Sequence, residues 1–249
     1  MKVVYDERFT QIYCHDPAAA AGRMESVCKE LTGHFEFVQP QPAKIEDLKL
    51  VHSDSHISSI QRMGLTYDIA RLAAAGAIKA AELAMSGQPA FALIRPPGHH
   101  ASRDHCWGFC FFNNMAISIA KLREEGKLST AVVLDIDLHF GDGTANIFEG
   151  IPQVIYFHPE AYEKEQFVHS ISQFLSQHEA EVIAISAGFD RHEADWGGML
   201  TTEDYRTIGE LVKEFAERIC QGKRYGVLEG GYNHQVLGGN VKSLLDGMR

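Results

Sequence analysis

Six short apolar runs punctuate this chain, at residues 2–5, 90–94, 131–136, 153–157, 181–186 and 225–228. None alternates strictly between apolar and polar positions. Runs rich in Val, Ile, Leu and Ala without alternation suit strands covered on both faces, as in a parallel sheet. Longer stretches with helical spacing lie between them, at residues 67–85, 113–125, 167–178, 205–220 and 234–245. The first is alanine-rich and runs into Ser86-Gly87, and the second stops at Gly126; both are suitable helix ends. Thr201 offers a hydroxyl cap ahead of the stretch that starts at Tyr205. Strands alternating with helices predict an α/β fold, one domain over residues 1–249 with a mostly parallel central sheet flanked by helices. No internal repeat, low-complexity tract or linker breaks the pattern.

Composition narrows the function. At 249 residues, 45% hydrophobic and 22% charged, the chain can bury a substantial core. Its 23 Lys and Arg against 33 Asp and Glu give a net charge of −10. That argues against direct binding to nucleic acid or anionic lipid, and it suits cationic substrates. No apolar run approaches the ~20 residues of a membrane span. The opening Met1-Lys2-Val3-Val4-Tyr5-Asp6 reads as a strand rather than a signal peptide. The five cysteines (Cys14, Cys28, Cys106, Cys110 and Cys220) are odd in number and scattered, which is no disulfide framework. A reducing, cytoplasmic setting is expected. Nothing in the chain fixes an oligomeric state.

The densest chemistry lies in Leu134-Asp135-Ile136-Asp137-Leu138-His139-Phe140-Gly141-Asp142. An apolar run leads straight into three carboxylates and an imidazole at spacings of two, two and three. Charge at the end of a buried strand needs a partner. A divalent metal would serve Asp137 and His139 together. On an extended chain positions 135, 137 and 139 share a face, at the strand end where open α/β sheets bind ligands. A solvated loop after a strand accounts for the same residues equally well.

Four other segments sit at or just past strand ends or near this one. They are Arg95-Pro96-Pro97-Gly98-His99-His100, Trp107-Gly108-Phe109-Cys110-Phe111-Phe112-Asn113-Asn114, Ala187-Gly188-Phe189-Asp190 and Glu229-Gly230-Gly231-Tyr232-Asn233. Each has an ordinary reading: loop histidines, core aromatics, a helix cap, a packed tyrosine. Together, polar clusters at several strand ends of one parallel sheet converge on one rim.

The set resembles the histone deacetylase superfamily, the zinc-dependent acyl-lysine and acetylpolyamine amidohydrolases with an arginase-like, three-layer fold. The matching motifs run Arg-Pro-Pro-Gly-His-His (95–100), Gly-Phe-Cys-Phe-Phe-Asn-Asn (108–114), Asp-Ile-Asp-Leu-His-Phe-Gly-Asp-Gly (135–143), Ser-Ala-Gly-Phe-Asp (186–190) and Glu-Gly-Gly-Tyr-Asn (229–233), in the family's order. His15-Asp16-Pro17 with Arg23-Met24, and Val51-His52-Ser53, are similar to further family segments. The resemblance implies Asp137, His139 and Asp190 as metal ligands, with zinc (Zn2+) the expected ion and Fe2+ or Co2+ compatible. It implies His99 and His100 as the active-site pair, oriented by Asp135 and Asp142. His100 would act as general base and then general acid, and Tyr232 would bind the substrate carbonyl oxygen. Gly108, Phe109, Trp196, Gly230 and Gly231 would contact the substrate. The expected reaction removes acetyl or another short acyl group from an alkylamine, carried by a small molecule or a flexible tail.

The chain also departs from the family. Residues 158–166 stand where relatives carry a long glycine-rich loop, and residues 57–67 are likewise short. A shallow, open site with a weak grip on peptide follows. Trp196 is expected either to narrow the rim or to replace the lost aromatic wall, or else to pack on a neighbouring loop. Glu193 is out of register with the family's polyamine-selective glutamate. Relatives also bind structural potassium beside the zinc site through backbone carbonyls and a serine. Tyr156 stands at that serine's place, and the carbonyls of Asp135, Asp137 and His139 stay open to potassium.

Two rival readings differ in chemistry. A binuclear manganese ureohydrolase needs further carboxylates where this chain has Gly141 and His192. A non-catalytic protein that binds acylated ligands or partners would explain the lost loops, but it has no need of both histidines and the tyrosine.

Overall fold

The computed structural model describes residues 1–249. Seven strands form one sheet: β1 (Lys2–Val4), β2 (Glu36–Val38), β3 (Ala90–Ala92), β4 (Ala131–Asp135), β5 (Val154–Phe157), β6 (Val182–Ala187) and β7 (Arg224–Leu228). Their order is β2-β1-β3-β7-β6-β4-β5, and every pairing is parallel. All six apolar runs are strands, within a few residues of their expected ends. The central strands β3, β4, β6 and β7 are buried along their whole length, which is why they read as unbroken apolar runs.

The seventh strand, β2, is an addition to the sequence reading. It is a three-residue edge strand on β1, with Glu36 exposed and Phe37 and Val38 half-buried. So short and half-covered a segment carries no pattern to read.

Nine α-helices cover the sheet: α1 (Arg23–Leu31), α2 (Ile45–Lys49), α3 (Asp54–Gln61), α4 (Leu65–Met85), α5 (Asn114–Glu124), α6 (Asp142–Phe148), α7 (Lys164–Ser176), α8 (Thr202–Ile219) and α9 (His234–Met248). Helices α4, α5 and α6 pack with one another and on one part of the sheet. Helices α1, α7, α8 and α9 pack together as a second group. The five expected helices are α4, α5, α7, α8 and α9. The others have nine residues or fewer, too short for a helical period to show. Caps set their ends instead: the Ser53 hydroxyl accepts the N–H of His56 at the start of α3. The Thr201 cap of α8 is completed by Asp204, whose carboxylate accepts the Thr201 N–H.

A single apolar core of 69 buried residues runs through both sheet–helix interfaces. Burying each large aliphatic or aromatic side chain there contributes about 1.5–3 kcal/mol. The core fixes the four central strands, and β3, β7, β6 and β4 are neighbours in that order. The loops leaving their carboxyl ends therefore share one rim. These are the loops that carry His99 and His100, Glu229 to Tyr232, Asp190, and Asp137 with His139. No helix is long and apolar enough to cross a membrane.

Candidate metal-dependent active site

Strand β4 ends at Asp135 and the chain bends over residues 137–139. The convergence of Asp137 and His139 thus comes from a bent loop, and not from the extended alternation that the sequence suggested. Asp135 Oδ1 accepts the Asp137 N–H at 3.1 Å, and Asp137 Oδ1 accepts the His139 N–H at 2.9 Å. These bonds curl the loop so that His139 Nδ1 lies 3.1 Å from Asp137 Oδ1 and 3.2 Å from Asp190 Oδ2.

One ligand atom from each of Asp137, His139 and Asp190 falls within 4.8 Å of the others. Both carboxylates are buried, whereas the His139 side chain is 40% exposed, so the cluster opens on one side only. Gly230 presses against both acids. A Cβ there would lie 2.5 Å from Asp137 Oδ2 and 2.7 Å from Asp190 Oδ2, and its N–H donates to Asp137 Oδ2 at 2.8 Å.

The donor set fits a divalent metal. Asp190 Oδ2 is buried without a hydrogen-bond partner, aimed into the cluster. The adjacent Asp137 and Asp190 carboxylates push His139 up to about 10, the effect of negative charge gathered at one point. Burial and the neighbouring Asp137 charge raise Asp190 to about 6. Two carboxylates and one imidazole are a suitable ligand set for zinc that leaves a position open.

The expected histidine pair stands beside the cluster. The His99 and His100 rings are 4.1 Å apart. His99 Nδ1 faces Asp135 Oδ2 at 3.1 Å, and His100 Nδ1 faces Asp142 Oδ1 at 2.6 Å. Burial opposes charge on His99, but Asp137 and Asp135 outweigh it and hold the ring well above its ordinary range. His100 goes the other way, lowered by burial and by the His99 charge against the pull of Asp142. Two adjacent rings pushed apart in this way are suited to different roles, one as a base and one as an electrostatic support.

Glu229, at the end of β7, is buried among these groups and raised to about 7 by burial. Its Oε2 accepts the N–H of Gly98 at 2.6 Å and of His99 at 3.2 Å, which fixes the histidine loop.

Aromatic rings frame the open side. Gly108 and Phe109 both adopt positive φ, +57° and +66°, a tight turn that is strained for Phe109. The turn packs on His100, since a Cβ on Gly108 would collide with the imidazole. It sets the Phe109 ring edge-on to Tyr232 at 5.9 Å. Trp196 stacks on the other side of Tyr232 at 4.0 Å and meets His139 edge-on at 6.2 Å. Trp196 thus packs on the neighbouring tyrosine loop, beside His139.

Asp195 holds the tyrosine loop, its Oδ2 accepting the N–H of Tyr232 and of Asn233 at 2.8 Å each. Arg23, fully buried, donates to the carbonyls of Glu229 and Gly231 at 2.7 and 2.9 Å. Gly230 and Gly231 therefore lie under the tyrosine, against the acids and Arg23, more than along the mouth.

Three residues make contacts at the site that the sequence did not foretell. Trp107 stacks on His100 at 4.0 Å, and its indole N–H donates to Asp142 Oδ2 at 2.9 Å, so it clamps both members of that pair. Tyr156 donates its hydroxyl proton to Asp135 Oδ2 at 2.9 Å and accepts the Gly141 N–H at 2.9 Å. Arg191, next to Asp190, donates to the Asp137 carbonyl at 2.9 Å. Each of these hydrogen bonds joins residues 15 to 54 apart in sequence. The only signal for Trp107 was its place at the head of an aromatic block.

A buried cluster of possible metal ligands beside paired histidines, at the carboxyl edge of a parallel sheet, is an arrangement suited to a metallohydrolase. The sequence matches the histone deacetylase domain family over residues 17–167 and 158–248, and the chain belongs to that family. It is 30% identical over 265 residues to a probable deacetylase of Methanothermobacter thermautotrophicus, spanning 85% of this chain and 78% of that protein. It is 27% identical to a histone deacetylase-like amidohydrolase of Pseudomonas aeruginosa, over 89% of this chain and 75% of that protein. Human polyamine deacetylase HDAC10 is 28% identical over 80% of this chain, which spans 39% of that longer protein. The crystal structure of the HDA15 HD domain superposes with a TM-score of 0.87 at 23% identity, over 98% of this chain and 88% of that one, and shares the fold.

Proposed function

We propose that this protein is a zinc-dependent amidohydrolase that removes acetyl or another short acyl group from an alkylamine, such as an acetyl-lysine side chain or an acetylpolyamine. The observation that carries the reading is the convergence of Asp137, His139 and Asp190 within 4.8 Å, beside a histidine pair whose proton affinities are driven apart. Asp137, His139 and Asp190 would hold the zinc, which when bound polarises an amide carbonyl and lowers the pKa of a coordinated water.

The chain's own groups supply the rest. His100 has Nδ1 engaged by Asp142, so Nε2 is the free nitrogen that takes a proton from the attacking water. Asp142 and Trp107 hold the ring in place as it becomes charged. His99, whose proton affinity Asp137 and Asp135 raise, would add positive charge near the developing oxyanion. The Tyr232 hydroxyl, raised far above the ordinary tyrosine range by burial and the nearby acids, stays protonated and donates to that oxyanion. His100 then gives its proton to the departing nitrogen as the C–N bond breaks, leaving a carboxylate and a free amine. Phe109 and Trp196 would flank the alkyl chain of the substrate.

The family supports deacetylation, and the relatives include a named polyamine deacetylase and a named amidohydrolase. The short 158–166 segment and the net charge of −10 favour small or flexible cationic amines over a tightly gripped peptide. Five unpaired cysteines agree with a reducing, cytoplasmic compartment.

The test is release of acid and amine by zinc-loaded protein from a panel of acetyl-lysine peptides and acetylated polyamines. Turnover is expected, reduced at least ~100-fold by His100→Ala and by Tyr232→Phe. No turnover on any substrate, with one zinc tightly bound per chain, would favour a protein that only binds acylated ligands.

A further inference from the structure

The family resemblance brings with it a structural potassium held by carbonyls of the metal-ligand loop and a serine. The residues here do not fit it. Tyr156 stands at the serine's place, and its hydroxyl is engaged on both sides, donating to Asp135 Oδ2 and accepting from Gly141. The Asp137 carbonyl already accepts from Arg191 Nε at 2.9 Å.

Arg191 is unusual in its own right. Its residue is 6% exposed, and no carboxylate lies within ion-pair distance of its guanidinium. Its acceptors are two backbone carbonyls, Asp137 at 2.9 Å and Leu138 at 3.3 Å, and the ring nitrogen His158 Nε2 at 3.0 Å. The guanidinium lies over the Phe167 ring, 4.7 Å from its centroid. A buried charge without a counter-ion is expensive unless its surroundings are negative. Burial lowers the proton affinity of Arg191, and the field of Asp137, Asp190 and Asp135 opposes that cost. Arg191 is thus bound as a free cation is bound, by carbonyl oxygens beneath a cluster of acids.

We infer that Arg191 is the resident cation of this loop, doing covalently what an alkali cation does elsewhere, so that the site forms without potassium. A second cation on the Asp137 carbonyl would sit one oxygen away from the guanidinium, and like charges repel strongly at that separation in a dry interior. The shortened 158–166 segment is part of the arrangement, because its first residue, His158, is the third acceptor. Arg191 is a positioning residue: it braces the carbonyls on either side of Leu138 and so sets the direction of the Asp137 and His139 side chains.

The test is the thermal midpoint of the zinc-loaded protein and of the chelator-treated protein in chlorides of potassium, sodium and choline at equal ionic strength. Neither readout needs turnover, so its outcome is independent of the proposed amidohydrolase activity. The wild-type midpoint is expected to be the same in all three salts. Arg191→Ala is expected to lower it by on the order of 5 °C and to regain part of the loss with potassium, saturably. A saturable, potassium-specific rise in the wild-type protein would overturn the inference, and so would an Arg191→Ala protein indifferent to potassium. Should that variant fail to accumulate, Arg191→Lys retains a cation and is expected to stay independent of potassium; acquired dependence would count against the inference.

Discussion

At the level of single residues, proton affinities and stacked rings do most of the organising. Trp107 is half-exposed, yet it contacts both His100 and Asp142. Trp107→Phe keeps a ring over the imidazole and loses the indole N–H. It is expected to lower kcat/KM by roughly fivefold, about 1 kcal/mol, in steady-state assays, while Trp107→Ala loses considerably more. Equal activity in all three proteins would mean that Asp142 alone positions His100.

A second histidine acts on stability. His52 is buried, with Nδ1 donating to the Ser102 carbonyl and Nε2 accepting the Asn113 N–H, a pairing that requires the neutral ring. Burial lowers it from 6.5 to about 3. The unfolded chain therefore binds the proton first as pH falls, and stability present above pH 6.5 drains away between 6.5 and 3. Chemical denaturation at pH 7 and at about pH 4.5 should differ by on the order of 2 kcal/mol, and His52→Gln should shrink that difference. A pH-independent His52→Gln difference would assign the effect to other groups.

Among the elements, legibility follows burial. The four central strands were readable because both faces are covered, and their loops were readable because ionisable residues end apolar runs. Strand β2 and helices α1, α2, α3 and α6 were not, being short and held by caps and neighbours. The motif residues were legible as a set, since one parallel sheet brings their loops to one edge. Trp107, Tyr156 and Arg191 were not, because each acts on a residue from another strand's loop. The glycines of the β7 loop are visible in sequence, but their reason is not. Gly230 is needed because any side chain would strike Asp137 and Asp190. Gly230→Ala is accordingly expected to weaken zinc binding by roughly 10–100-fold in a competition titration, while the far-ultraviolet circular dichroism is unchanged. Unchanged zinc affinity would show that the two acids can move aside.

For the whole molecule, seven parallel strands and two groups of helices form a rigid frame on which the chemistry rests in four adjacent loops. At the rim of that frame Trp196 stacks on Tyr232. On the proposed function, this frame hydrolyses acylated amines through one metal held by Asp137, His139 and Asp190. The most direct measurement is acetate release from the best acetylated amine before chelation, after it, and during stepwise return of zinc. The account predicts that chelation abolishes release and that activity returns to a plateau at about one zinc per chain, but not in Asp190→Ala. Release that survives complete chelation, or that zinc restores equally well in Asp190→Ala, would contradict it.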